Sequence, residues 1–192
     1  MNQGHLEFCA SPQWRQTIED TILPEALRGV TLGDDVIEIG PGPGLTTDVL
    51  RTLTARLTAL EFDPDLADAL AERTVGTNVQ VVCGDATGMD FPDGRFTGAA
   101  SFHMLHHIPT EEAQDLVFAE LGRVLESGAT LVAADGIENE GVRLFHADDI
   151  YNPVDPATLD RRLRRAGFTL VDVRVYELGW ICTATTAERA TA

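Results

Sequence analysis

The sequence contains no lysine, and its 14 basic residues, all arginine, stand against 31 acidic residues, for a formal net charge of −17 at pH 7. An electrostatic field of this sign repels phosphate backbones and anionic membrane surfaces. The composition therefore disfavours nucleic acid as a substrate and a membrane as a partner.

Cysteines are also scarce, and the three present, Cys9, Cys83 and Cys182, lie far apart without the spacing of a metal site. An odd number of scattered cysteines is typical of a reduced compartment rather than of a disulfide framework. The sequence also lacks an apolar run of membrane-spanning length and an N-terminal secretory pattern. We therefore expect a cytoplasmic protein.

The chain of 192 residues, 44% of them hydrophobic, is long enough for one domain with a sizeable core. Ser11 and Pro12 form a helix-start signal, and apolar residues then recur at helical spacing. We predict an N-terminal cover helix within residues 1–30 and a main domain over residues 31–187.

From Asp35 onward, short apolar runs alternate with longer amphipathic ones, which is typical of strand–helix units around a parallel sheet. The predicted strands are 35–39, 57–61, 79–83, 96–102 and 130–135, and the predicted helices between them are 45–55, 65–73 and 111–125. A helix from 155 or 156 to 166 leads into an antiparallel hairpin of 168–176 and 180–186. The pattern predicts a Rossmann-like, doubly wound, mostly parallel α/β sheet of seven strands in three layers.

Residues 136–155 break this rhythm with glycine, asparagine and proline, and we predict a lid-like insertion there.

A glycine-rich turn follows the first predicted strand, with the sequence Glu38-Ile39-Gly40-Pro41-Gly42-Pro43-Gly44. Glycines allow positive φ angles and let a ligand approach the backbone closely. The turn alone is weak evidence, because a tight strand-to-helix connection explains it as well.

Two acidic residues, one at the end of the second predicted strand and one just after the third, strengthen the case for a nucleotide-type ligand. Glu61 ends the second predicted strand, where a carboxylate accepts hydrogen bonds from a bound ribose. Asp85 follows the third, where it either accepts from an adenine amino group or caps a short helix. The carboxyl ends of parallel strands meet at one edge of the sheet, so the three features converge.

In this order the residues resemble the class I S-adenosylmethionine-dependent methyltransferases, especially small-molecule enzymes with a methyltransferase-11 or -25 type domain, over about residues 34–176. The segment Ser101–Ile108 extends the likeness. The resemblance implies S-adenosylmethionine as cofactor and S-adenosylhomocysteine as product. It assigns cofactor contacts to Glu38, Gly40, Pro41, Gly42, Gly44, Glu61, Phe62, Asp85, Ala86 and Ser101, with Phe62 packed on the adenine.

Two rival functions remain open at this point. An NAD-dependent oxidoreductase requires a third glycine where Leu45 stands, and a diphosphate suits neither Pro43 nor an acidic protein. The second rival is a cofactor-binding regulatory protein without catalysis. The sequence does not exclude it, because such a protein has the same cofactor site as an enzyme. We predict a methyltransferase acting on oxygen or nitrogen of a small molecule.

The acceptor side is less well marked. His103 directly follows the fourth predicted strand and is our candidate general base. Trp14, His103, His146 and Tyr151 are the candidate substrate-binding residues. His146 lies near Asp148 and Asp149, but no further ligand is placed by spacing, and we predict no metal.

Overall fold

A seven-stranded sheet with the order β3-β2-β1-β4-β5-β7-β6 forms the centre of the computed structural model, which describes residues 3–177 and 179–188. Strands β1 to β5 pair in parallel, and β7 is antiparallel to both β5 and β6. The strands are β1 Asp35–Ile39, β2 Arg56–Glu61, β3 Val79–Cys83, β4 Phe96–Phe102, β5 Leu125–Asp135, β6 Phe168–Tyr176 and β7 Gly179–Thr186. The predicted sheet is confirmed, and Leu178, which separates β6 and β7 in the sequence together with Glu177, lies outside the described residues.

Helices cover both faces of the sheet. They are α1 Gln3–Cys9, α2 Pro12–Thr17, α3 Leu23–Ala26, α4 Leu45–Leu50, α5 Pro64–Arg73, α6 Glu111–Val124, α7 Glu140–Phe145 and α8 Pro156–Arg165. Pro64 and Pro156 each begin a helix behind an aspartate N-cap, as expected for proline in a first turn. In the described part of the chain, no helix is long and apolar enough to cross a membrane.

Two elements differ in length from the prediction by several residues, and the others agree to within about one residue at each end. Helix α4 ends at Leu50 rather than at residue 55, because the chain turns there and the Thr52 hydroxyl donates to the Val49 carbonyl. Strand β5 begins at Leu125 rather than at residue 130, since Phe96 pairs with Leu125 across an irregularity in the ladder with β4.

The core consists of two clusters, one on each face of the sheet. Side chains alternate along β1, so Ile37 and Ile39 join one cluster and Val36 joins the other. Helices α6 and α8 pack on the first face. Residues Ile18 and Ile22 of the N-terminal segment pack on the second. The sequence pattern therefore produces three layers, α/β/α.

The N-terminal segment contains α1 and then an unbroken helical run over residues 12–26, in which α2, a π-helical turn and α3 follow one another directly. The Ser11 hydroxyl accepts from the backbone N–H of Trp14 at 3.1 Å and so caps α2, as the Ser-Pro signal predicts. A π-helical turn, Ile18–Ile22, joins α2 to α3. We call residues 3–27 the N-terminal cover, because they close one side of the cavity described below.

The irregular segment 136–155 contains only the short helix α7, which begins behind Asn139 as N-cap. Its later part is fixed to the sheet edge: the Asn152 N–H donates to the His106 carbonyl at 2.7 Å, and the Gln114 amide donates to the Asn152 carbonyl at 2.9 Å. These bonds hold the segment beside the carboxyl end of β4.

Candidate functional site

A cavity of about 580 Å³ opens at the carboxyl ends of β1, β2 and β4. The strand order runs from β1 towards β2 on one side and towards β4 on the other, so the cavity lies where the connections diverge. Open α/β sheets bind their ligands at this position.

The glycine-rich turn forms one wall of the cavity, and its glycines have positive φ angles of 63° at Gly40, 54° at Gly42 and 81° at Gly44. A Cβ at Gly40 would lie 2.8 Å from the Met104 side chain, so glycine is required there for packing. A Cβ at Gly42 would meet no protein atom within 4 Å. Because Gly42 lines the cavity, its bare backbone leaves room for a ligand.

The Glu61 carboxylate is fixed by two backbone N–H groups. Its Oε2 accepts from Gly42 at 2.9 Å and its Oε1 accepts from Asp63 at 3.0 Å. The side chain is buried and lines the cavity. Each carboxylate oxygen has further lone pairs, so a ligand diol is able to donate to this preorganised anion.

The Glu38 carboxylate, predicted as a cofactor contact, is buried against the start of α4. It is 1% exposed, and the hydroxyls of Thr46 and Thr47 donate to its two oxygens. Burial raises the pKa of Glu38 to about 7. Thr46 lines the cavity, whereas Glu38 is not among the described residues that line it. The geometry makes Glu38 a residue that positions the start of α4 and thereby the glycine turn.

The predicted adenine contacts lie on the cavity wall. Asp85 and Ala86 both line it, and Phe62 beside them is 73% exposed. The Asp85 Oδ1 accepts from the Thr87 N–H and hydroxyl, each at 2.8 Å, so Asp85 also caps its own turn. Ser101, by contrast, is buried within β4 and its hydroxyl oxygen has no described hydrogen-bond partner.

His103 lies on the opposite wall, in a left-handed conformation with φ of 52°. The backbone N–H of His103 donates to the Ala134 carbonyl at 2.8 Å, and the His103 ring contacts the Trp14 ring edge-on with centroids 5.0 Å apart. Burial lowers the pKa of His103 to about 4, although Asp135 at 3.9 Å opposes this shift. The ring is therefore neutral near pH 7, and its Nε2 has no described partner.

The four predicted substrate residues divide between two places. Trp14 and His103 line the cavity together. His146 and Tyr151 stack on each other behind it, with ring centroids 4.4 Å apart. His146 contacts His5 and His106, two residues that sequence reasoning did not bring together. No local pattern pointed to this grouping, because its members come from distant segments.

Sequence reasoning also missed part of the cavity wall. Cys9, Met104 and Ile150 line it. Met104 directly follows the predicted base, His103. Its place in the sequence just beyond a parallel strand could have indicated that it lines the cavity, because ligands bind at the carboxyl ends of such strands. Ile150 lies in the segment predicted as a lid, which gave no signal for individual residues.

The family model described as a methyltransferase domain matches residues 37–133, half of the chain. The ribosomal RNA small subunit methyltransferase A of Deinococcus radiodurans is 35% identical over 119 residues, which are 59% of this chain and 41% of that protein. The chain thus spans less than half the length of this relative.

Solved structures share the fold. The PH0226 protein from Pyrococcus horikoshii has a TM-score of 0.78 at 15% identity, over 93% of this chain and 94% of that one. DhpI in complex with SAH has a TM-score of 0.75 at 20% identity, over 95% and 91%. Fold, glycine turn and family match agree, and the chain therefore belongs to the methyltransferase domain family, the class I S-adenosylmethionine-dependent enzymes that the sequence resembles.

Proposed function

We propose that the protein transfers a methyl group from S-adenosylmethionine to an oxygen or nitrogen atom of a small molecule. The single observation that carries the proposal is the junction of Gly42 and Glu61. There a bare backbone faces the cavity, and a buried carboxylate is held at its edge by that same backbone.

The residues present fit this cofactor. Glu61 offers acceptor oxygens for a ribose diol, and the exposed ring of Phe62 offers a stacking surface for adenine. The cofactor carries no phosphate, and its sulfonium cation suits a protein of net charge −17. When bound, S-adenosylmethionine supplies an electrophilic methyl carbon on sulfur. The contacts of Asp85 and Ala86 with the adenine belong to the same proposal.

The acceptor binds on the side of the cavity closed by the N-terminal cover. Trp14, Phe102 and Met104 give this side an apolar lining. An apolar enclosure excludes water and holds the acceptor lone pair in line with the methyl carbon, which accounts for most of the rate enhancement in a displacement. We assign the acceptor's proton to His103, because this residue lines the cavity and its Nε2 has no described hydrogen-bond partner.

Ribosomal RNA is the second candidate substrate, because the aligned relative is named for it. The net charge of −17 opposes it, since RNA binding depends on neutralising phosphates. The segment Ser101-Phe102-His103-Met104 also lacks the Asn/Asp-Pro-Pro-aromatic signature of methyltransferases that act on nucleobase amines. A small acceptor is therefore the better fit.

Two measurements test the proposal. Calorimetry should show binding of S-adenosylmethionine and S-adenosylhomocysteine but not of NAD, and the reverse would refute the cofactor assignment. A labelled-methyl assay should then be run over a metabolite library and, in parallel, on ribosomal RNA. Labelling of metabolites supports the small-molecule proposal, and labelling of RNA alone refutes it. Cofactor binding with no labelled product favours a regulatory protein.

A further inference from the structure

Four of the five histidines meet in one place beside the cavity. His5 comes from α1, His106 and His107 from the 3₁₀ turn after β4, and His146 from the end of α7. One ring nitrogen from each lies within 4.8 Å of the others. We call these four residues the histidine cluster.

Hydrogen bonds determine the tautomer of two of these rings in their neutral form. The His146 Nδ1 lies 2.7 Å from the Val142 carbonyl oxygen, which only accepts, so Nδ1 is the donor. The His106 Nδ1 lies 2.6 Å from the Asp135 carboxylate and donates in the same way. In the neutral rings the Nε2 atoms therefore carry the lone pairs. Both Nε2 atoms are buried without a described partner.

A metal site has this arrangement around its ligands. A metal-binding histidine donates its second N–H to a carboxylate or carbonyl, which orients the ring and raises its basicity. Asp135 and the Val142 carbonyl have that relation to His106 and His146, and the Asp149 carboxylate lies 3.3 Å from the His5 Nδ1. Outer partners are thus described for three of the four rings, those of His5, His106 and His146.

We propose that the histidine cluster binds one zinc ion. Four imidazoles, each ligating in its neutral form, match the preference of Zn²⁺ for nitrogen ligands in tetrahedral coordination, whereas Mg²⁺ and Ca²⁺ require oxygen ligands in larger number. Zn–N bonds of about 2.1 Å place tetrahedral ligand atoms roughly 3.4 Å apart. The present separations of up to 4.8 Å would therefore have to shorten to that value when zinc binds.

The site would connect parts of the chain that close the cavity. Its ligands join the N-terminal cover and α7 to the turn that follows β4. His107 also lines the cavity, so the ion would lie in its wall. Four protein ligands leave no open position, so the proposed role is structural and does not depend on the methyl-transfer proposal.

The test is a zinc titration of the full chain after treatment with a chelator, in competition with a chromophoric zinc indicator. We expect saturation at one zinc per chain, a rise in melting temperature with Zn²⁺ but not with Mg²⁺, and the visible absorption of tetrahedral Co²⁺ on substitution. His146→Ala should weaken zinc binding by at least about 100-fold, as losing an inner ligand exceeds the 10–100-fold of an outer one. His103→Ala, the histidine outside the cluster, should bind zinc as the unsubstituted protein does.

Two results would overturn the proposal: no saturable zinc binding by the unsubstituted protein, or equal zinc affinity in His146→Ala. Circular dichroism of the metal-free variants checks folding. If His146→Ala does not fold, the Co²⁺ spectrum of the unsubstituted protein decides, and its lack of tetrahedral absorption refutes the site.

Discussion

Replacing Glu61 by glutamine is the most direct test of the cofactor site. The side chain keeps its volume but loses its charge, and one of its two ends becomes an NH₂ group. Because backbone N–H groups of Gly42 and Asp63 face both ends, one of them then faces a donor. A hydrogen bond from the ligand to a charged acceptor contributes about 1.5–3 kcal/mol. We expect a loss of about 1.5–3 kcal/mol, roughly 10- to 150-fold in Kd for S-adenosylmethionine.

Calorimetry with S-adenosylmethionine and S-adenosylhomocysteine measures this loss. Glu72→Gln is the matched control, because Glu72 is an exposed acid on α5 that undergoes the same chemical change. Its affinity should equal that of the unsubstituted protein. If Glu61→Gln binds both ligands as tightly as Glu72→Gln does, the ribose assignment of Glu61 is refuted.

Three further changes probe the turn, its support and the base. Gly42→Ala should weaken cofactor binding at least about tenfold because its Cβ enters the cavity, whereas Gly76→Ala, which also has positive φ and open space, should not; equal affinities would refute the assignment. Burial raises the pKa of Glu38 to about 7, so the folded chain binds more protons than the unfolded chain between about pH 4.5 and 7. The free energy of unfolding should therefore fall by about 3 kcal/mol as the pH rises through that window. Glu38→Gln should remove this pH dependence in thermal melts, and parallel curves of stability against pH for the two proteins would contradict it. His103→Gln should lower kcat by roughly 10²–10⁴ and leave cofactor affinity unchanged, and an unaltered kcat would exclude His103 as the base.

Features that depend on neighbouring residues in the chain were predictable from the sequence. The glycine turn, Glu61 and Asp85 each follow a strand whose apolar pattern is local, and parallel pairing then brings their positions together. The mostly parallel seven-stranded sheet with its antiparallel hairpin follows from the same rhythm of strands and crossovers, whereas the order of its strands was not predicted.

Features that depend on long-range packing were not predictable in the same way. The family resemblance assigned Glu38 to the ligand, but the register of β1 turns its carboxylate towards Thr46 and Thr47 behind the turn. The histidine cluster joins His5 to His146 through a fold that spacing along the chain does not encode. For the same reason, the prediction that no metal is bound considered His146 only together with Asp148 and Asp149, its neighbours in the sequence.

The N-terminal cover also bears on how acceptor preference can diversify in such proteins. Trp14 and Ile18 on one side of the cavity belong to residues 3–27, whereas Gly42 and Glu61 on the other belong to the sheet and its turns. The cover precedes β1 in the chain, so an exchange of this one contiguous segment replaces acceptor-facing side chains without interrupting any strand. On the proposed division of the cavity, the part of the acceptor wall that the cover supplies is separable from cofactor recognition, and a graft of a relative's cover onto this sheet should alter substrate preference while retaining the same methyl donor.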